Sequence, residues 1–230
     1  MKNILKKALL ATLPVLSGYL VLGFGFGLIM KSSGFGIAMA TVMSLAIYAG
    51  SMQYVAVGLF CGGASLITVA LTTLMVNARH LFYGISMLDK YKGMGKIKPY
   101  LIFSLTDETY SLVCEGAPET TEQNKKRYYL CVSLLNHLYW VGGSFLGAVA
   151  GSLITFNTEG VDFALTALFI TVFLEQWLSS KNHFPQLVGL FVSVAALLIF
   201  GADSFLIPAM LFIALILSLP ISEKNKEGGV

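Results

Sequence analysis

The chain has 230 residues, 56% of them hydrophobic and only 12% charged, with a mean hydropathy of +0.77. Soluble domains carry roughly 25% charged residues, so this composition argues against an ordinary soluble protein and predicts an all-α, polytopic membrane helical bundle. The net charge of +3 lies mostly in short connections, where it reports orientation in a bilayer and gives no support for nucleic-acid binding.

About eight hydrophobic segments follow one another, seven or eight of them predicted to span and some glycine-broken or re-entrant, in one integral membrane domain over 1–230 with a polar tail at 221–230. The basic start Met1-Lys2-Asn3-Ile4-Leu5-Lys6-Lys7 resembles that of a signal peptide. The apolar run behind it continues too far and lacks an A-x-A-like site, which predicts a retained first span. Segment one, Ala8 to Met30, carries Pro14, Ser17-Gly18-Tyr19 and then Gly23, Gly25 and Gly27. Two readings are open: close packing of helices through small residues, or a discontinuous helix whose freed backbone lines a substrate cavity.

Segment two, about Phe35 to Cys61, holds Tyr48-Ala49-Gly50-Ser51-Met52-Gln53-Tyr54 at its middle. Gly50, Gln53 and Val57 share one helical face, so Gln53 is expected to look toward a neighbour and away from lipid. Segment three, Ala64 to Leu88, ends in Asn77-Ala78-Arg79-His80-Leu81-Phe82-Tyr83-Gly84. Between Ala8 and Leu88 the only other formal charge is Lys31, and no acid occurs before Asp89. An unpaired cation at membrane depth costs about 2.5–3.5 kcal/mol on insertion scales, so Arg79 either snorkels to headgroups or finds a partner later in the chain.

Segment four, Pro99 to Cys114, supplies Ser104-Leu105-Thr106-Asp107-Glu108-Thr109-Tyr110. Adjacent helical positions point about 100° apart, so Asp107 and Glu108 do different jobs: one can pair with Arg79 and the other can titrate. Segment five, Tyr128 to Ile154, carries Asn136-His137 and Trp140, then Gly142-Gly143, Gly147 and Gly151. His137 reads equally as a proton relay and as a packing histidine. Segment six follows the acidic link Thr155 to Asp162 and carries Glu175-Gln176-Trp177. Segment seven runs from Phe184 to Phe200, and Gly201-Ala202-Asp203 turns into segment eight, which reaches Leu219. A weak echo between segments one and five, and between Met52-Gln53-Tyr54 and Glu175-Gln176-Trp177, is compatible with an internal repeat. Cys61, Cys114 and Cys131 lack CxxC spacing and read as apolar fillers; neither a metal nor a cofactor is expected.

The positive-inside rule leaves one conflict. Eight full spans with both ends cytoplasmic put Lys2, Lys6, Lys7, Lys125, Lys126, Arg127, Lys181 and Lys224 inside, but Lys90, Lys92, Lys96 and Lys98 outside. Either that loop breaks the rule or segments three and four never fully cross.

Taken together, the early Leu13-Pro14 and glycine-rich span, Ala49-Gly50-Ser51-Met52-Gln53-Tyr54, Asn77 through Gly84, Leu105-Thr106-Asp107-Glu108 and Gly201-Ala202-Asp203 resemble the AzlC family over essentially the whole chain. That family comprises the large subunits of bacterial branched-chain amino acid exporters. Tyr54 departs from the Phe common there. The resemblance implies a multi-pass protein of the bacterial cytoplasmic membrane, with a cytoplasmic N-terminus. It also implies export of leucine, isoleucine, valine and sometimes methionine, proton coupling, and a small AzlD-type membrane subunit as partner. A zwitterion needs an anion site, a cation site and an apolar slot. Arg79, with freed backbone amides near the glycines of segment one, is the candidate for the carboxylate, and Gly23, Gly25 and Gly50 are candidates along the pathway. Asp107 or Glu108 is the candidate for the ammonium or the proton. Gln53, Asn77, His80, Asn136 and His137 are candidates along the pathway, with Glu175 and Gln176 behind them. Phe24, Phe26, Tyr54 and Leu81 would form the apolar wall. The rival readings are a transporter of another small solute and a non-transporting membrane partner subunit. The absence of H-E-x-x-H, G-x-S-x-G and Walker patterns argues against an enzyme.

Overall fold

The computed structural model describes residues 2–114, 116–118, 121–153, 182–202 and 205–218, with single or paired positions between 170 and 180. Helices are the only regular elements among them. The chain divides into two compact units, Met1–Asp162 and Phe163–Val230.

The first unit is built on two long helices, α1 (Lys2–Ser32) and α8 (Glu122–Leu153). Glycines let their backbones touch. A Cβ on Gly23 would stand 2.8 Å from the Trp140 carbonyl, and one on Gly143 would stand 2.9 Å from the Tyr19 carbonyl. On Gly27 and Gly147 it would overlap Ser144 and Phe24 outright. Gly23/Gly27 and Gly143/Gly147 are thus two small-xxx-small pairs facing each other. The contacts advance together from Tyr19–Gly143 to Phe24–Gly147 to Lys31–Gly151, so the two helices run parallel. α1 is continuous through its glycines, and close packing is what they do. Pro14 also lies within it.

From the far end of α1 the chain enters a hairpin instead of a span. α2 (Ile37–Ala46) descends to mid-height, and α3 (Gly50–Cys61) climbs back to the end it left. The limbs lie side by side: the Phe35 and Phe60 rings are 6.1 Å apart at the open end, and Gln53 Nε2 donates to Ser44 Oγ at 3.1 Å near the tip. The reversal is made at Tyr48, which has a φ of 46°. Limbs of 10 and 12 residues measure roughly 15–18 Å, about half of a ~30 Å hydrocarbon core.

Next, α4 (Leu66–Val76), capped by Ser65, and α5 (Arg79–Met87) make one crossing bent by 49° at Asn77–Ala78. A loop and a 3₁₀ turn at Gly95–Ile97 lead to a second hairpin, α6 (Lys98–Phe103) and α7 (Asp107–Val113), which enters from the opposite end. Its open end is held in a cluster of Ile4 and Ala8 from α1, Met87 from α5, Tyr91 and Met94 from the loop, Val113 from α7, and Tyr128 and Tyr129 from α8.

That cluster removes the charge conflict. Tyr91, Met94 and Ile97 anchor the lysine-rich loop at the end where α1 begins and α8 begins, so Lys90, Lys92, Lys96 and Lys98 join Lys6, Lys7, Lys125, Lys126 and Arg127. The sequence left two alternatives, a lysine loop that breaks the rule or segments three and four that never fully cross. The hairpins are segments two and four, and segment three is a broken crossing. Seven or eight full spans are therefore not reached among the described residues. Asn3–Ser32 alone is long and apolar enough to cross singly, and α4 with α5 qualifies as a bent pair. α8 matches that length but interrupts its apolar face with Asn136, His137 and Trp140.

The second unit contains α9 (Phe184–Phe200), with Pro185 in its first turn, and α10 (Leu206–Ser218) packed on it. Gly201 ends α9 at a φ of 74°. Glu159, Asp162, Glu175, Gln176, Asp203 and the tail lie outside the described residues.

Candidate functional site: a polar junction at three helix breaks

The two hairpin tips and the break in α4–α5 meet at the same height. Tyr48 at the first tip lies 6.2 Å from Phe103 at the second and 4.3 Å from the His137 ring of α8. Every broken helix exposes backbone donors and acceptors, and polar side chains gather to satisfy them.

Arg79 is the first residue of α5, the positive end of that helix, where a cation is disfavoured. A carboxylate offsets it: Nη1 lies 2.6 Å from Asp107 Oδ2, and Nη2 donates to Ser51 Oγ of α3 at 3.2 Å. Asp107 and Glu108 open α7 behind the N-cap Thr106, where helix polarity favours anions. The pair is about one-third exposed, with side chains 37% and 34% accessible, so it is neither sealed nor at the surface. Two of its atoms are buried without a partner: Arg79 Nε, a donor, and Asp107 Oδ1, an acceptor.

Glu108 turns elsewhere. Tyr19 of α1 donates to its Oε2 at 2.6 Å and also lies 2.6 Å from Thr106 Oγ1. Thr106 donates to Thr109 Oγ1 at 3.1 Å, and Asn136 Nδ2 of α8 donates to the same oxygen at 3.0 Å. Asn136 is fully buried and its Oδ1 has no partner. The two adjacent acids meet different partners: Asp107 pairs with Arg79, and Glu108 accepts from Tyr19 at the head of a line of hydroxyls.

Other sequence candidates occupy different surroundings. Gln53 is fully buried and committed to protein, accepting from Trp140 Nε1 at 2.9 Å and donating to Ser44, which in turn donates to Ser144 at 2.7 Å. Tyr54 donates to the Leu22 carbonyl. Gly23 packs on α8, and Gly25 and Gly50 pack on Tyr54 and the Trp140 ring. Asn77 caps α4 and supplies its carbonyl to His80, whose ring meets Tyr83 edge-on at 5.9 Å. His137 Nδ1 meets Tyr100 Oη at 3.1 Å, and Nε2 is buried without a partner. Phe26 is buried between Tyr54 and Trp140, whereas Phe24 and Leu81 are exposed. Ser51, Thr106, Thr109 and Tyr19 were not singled out from sequence. Thr followed by two acids is a helix N-terminus signature, and it marks the Thr106 break. No group of His, Cys, Asp and Glu that would hold a metal occurs among the described residues. The second unit carries a groove of about 430 Å³ whose described lining, Phe173, Pro185, Gln186, Gly189, Leu190 and Ser193, includes no charged residue.

Described residues whose only regular elements are helices, with long apolar faces turned outward, such as Leu66, Ile67, Phe82 and Ile85, and with Arg79, Asp107 and Glu108 gathered at helix breaks inside, have the build of an integral membrane protein. The AzlC protein family model matches residues 14–154. The Branched-chain amino acid transport protein AzlC of Bacillus subtilis is 48% identical over 209 residues, 90% of this chain and 82% of that protein. An uncharacterized membrane protein of Haemophilus influenzae is 44% identical over 92% of this chain and 87% of its own length. The inner membrane protein YgaZ of Escherichia coli is 27% identical over 89% of this chain and 84% of its own. No solved structure matches. The chain belongs to the AzlC family.

Proposed function

We propose that the chain is a secondary transporter that exports branched-chain amino acids across the bacterial cytoplasmic membrane. It would be proton-coupled and would act with a small AzlD-type subunit as one membrane-embedded transport domain. The observation that carries the reading is the half-used ion pair: one buried free donor on Arg79 and one buried free acceptor on Asp107. A zwitterion supplies the complements, its carboxylate to the guanidinium and its ammonium to the carboxylate. Ser51 adds a hydroxyl, and the helix breaks provide irregular backbone at membrane depth, where transporter sites are built. The name carried by the Bacillus subtilis relative supports the branched-chain class. A groove whose described lining includes no charged residue, as in the second unit, offers a zwitterion nothing to replace its hydration.

The shared end of nine described lysines and arginines supports a cytoplasmic N-terminus, loop 88–97 and start of α8. With no nucleotide-binding pattern in the chain, an ion gradient is the energy source. The test is efflux. Cells lacking their own branched-chain exporters are loaded with a leucine- or valine-containing dipeptide and express this chain with and without the small subunit. Faster appearance of the free amino acid outside, only with both chains present, supports the reading. Unchanged efflux with both chains in the membrane refutes it and points to another small solute.

A further inference from the structure

The two carboxylates at the head of α7 are wired to different partners, and the wiring of Glu108 has a property the Arg79–Asp107 pair lacks. Its line of hydrogen bonds can run in either direction. With Glu108 ionised, the Tyr19 hydroxyl donates to Oε2, and the single Thr106 hydrogen can turn from Thr109 Oγ1 to the Tyr19 oxygen. When Glu108 takes one proton from a hydronium ion, its new O–H can donate to the Tyr19 oxygen. The Tyr19 hydrogen then turns to Thr106 Oγ1, and the Thr106 hydrogen turns to Thr109 Oγ1. No atom exceeds its inventory in either state: Thr106 Oγ1 keeps one lone pair for the Thr109 amide, and Thr109 Oγ1 keeps one for Asn136 Nδ2. An O–H bond of a hydronium ion breaks to leave a neutral water, an O–H bond forms on the carboxyl, and the charge at Glu108 rises by one.

We propose that Glu108 is the proton-carrying carboxylate of this transporter and that Tyr19 is the positioning residue coupling its protonation, through Thr106 and Thr109, to α8. The inference rests on the transporter reading above. The two residues answer a question that composition leaves open, which of the adjacent acids binds substrate and which binds the proton. The groups facing Glu108 are Tyr19 from α1, Tyr48 from the α2–α3 link and Tyr83 from α5, with Asp107 beside it on α7. The cation Arg79 is engaged by Asp107 at 2.6 Å, so Glu108 is left to exchange its proton with water on the half-buried side. The reversal has somewhere to go. It ends at the α7–α8 contact, where Asn136 Oδ1 is buried with no partner in the present arrangement. Two settings of one chain of hydroxyls give a bistable element that one proton can bias.

The test uses the chain with its small subunit in proteoliposomes, comparing leucine counterflow at equal pH with leucine flux driven by a pH gradient. Glu108→Gln keeps counterflow at the same order of magnitude and loses the gradient-driven flux by about a hundredfold, the scale expected when a positioned proton carrier is removed. Tyr19→Phe, which keeps the ring and removes the hydroxyl, retains both but moves the pH of half-maximal driven flux. Infrared difference spectra of the purified protein supply an arm without leucine. Acidification raises the carbonyl band of a protonated carboxyl, which disappears in Glu108→Gln and shifts in Tyr19→Phe. If wild-type protein shows no counterflow, the leucine reading fails and the infrared arm still decides the proton site. Gradient-driven flux retained in Glu108→Gln, or an unchanged infrared band, overturns the proposal.

Discussion

The two helical hairpins enter the first unit from opposite ends and meet at their tips, yet they are finished differently. Along the limbs of the α2–α3 hairpin, Ser44, Gln53, Trp140 and Ser144 close on one another in a buried network in which Gln53 uses both ends of its amide, and only the Tyr48 hydroxyl at the tip is left without a partner there. The α6–α7 hairpin stops short of closure. Asp107 Oδ1 and its partner's Nε are unsatisfied, and so is Asn136 Oδ1 against α7. A buried polar atom without a partner costs on the order of 1–3 kcal/mol, so such atoms persist where something else offsets them. A satisfied network rigidifies, while an unsatisfied one waits for a ligand or a second arrangement. On this account the first hairpin is a fixed wall and the second carries the working groups.

The largest effect is expected where the working hairpin is cut from its cation. Asp107→Asn leaves Arg79 half-buried without a carboxylate, and leucine transport should fall beyond detection in membranes that still contain the protein. Normal transport in that variant would erase the difference between the hairpins. Arg79→Lys keeps the charge but loses the fork that serves Asp107 and Ser51 together. Losing one charge-assisted bond to the substrate, about 1.5–3 kcal/mol, should weaken half-saturation by roughly 10–100-fold. The wall should respond in the other currency. Gln53→Leu strands the Trp140 indole N–H and removes the bond that Ser44 accepts, costing about 1–3 kcal/mol in thermal stability with leucine half-saturation unchanged. A selective loss of leucine affinity would return Gln53 to the transport pathway. Smallest is Trp140→Phe, which deletes one hydrogen bond and keeps most of the packing against Tyr19 and Phe26. About 1 kcal/mol of stability is expected to go, read in a melting curve in detergent.

Much of this arrangement was legible in the residues, and the rest was hidden for identifiable reasons. A lone Arg79 in a run without acids demanded a partner, and the two acids at 107 and 108 had to point apart; both follow from local geometry. The reversal at Tyr48 gave no local sign, because Ile47-Tyr48-Ala49 contains neither glycine nor proline. Its left-handed backbone is held by rings 29 to 89 residues away, those of Tyr19, Phe103 and His137. The break before α7 did carry a sign, Thr106 ahead of two acids, which reads as a helix start once apolar continuity is set aside. Gln53 looked like a ligand-facing amide because its partner Trp140 lies 87 positions later. The glycines of segment one announced close packing or a broken helix equally well, and only the matching pair on α8 decides between them.

The most direct test of the account is competition for leucine counterflow by analogues that keep the side chain and lose one charge. Leucine amide lacks the carboxylate that Arg79 would bind, and 4-methylpentanoate lacks the ammonium that Asp107 would bind. If the junction of the three helix breaks is the substrate site, valine and isoleucine compete and neither single-charge analogue does so at comparable concentration. Competition by either analogue as strong as that by valine would contradict it.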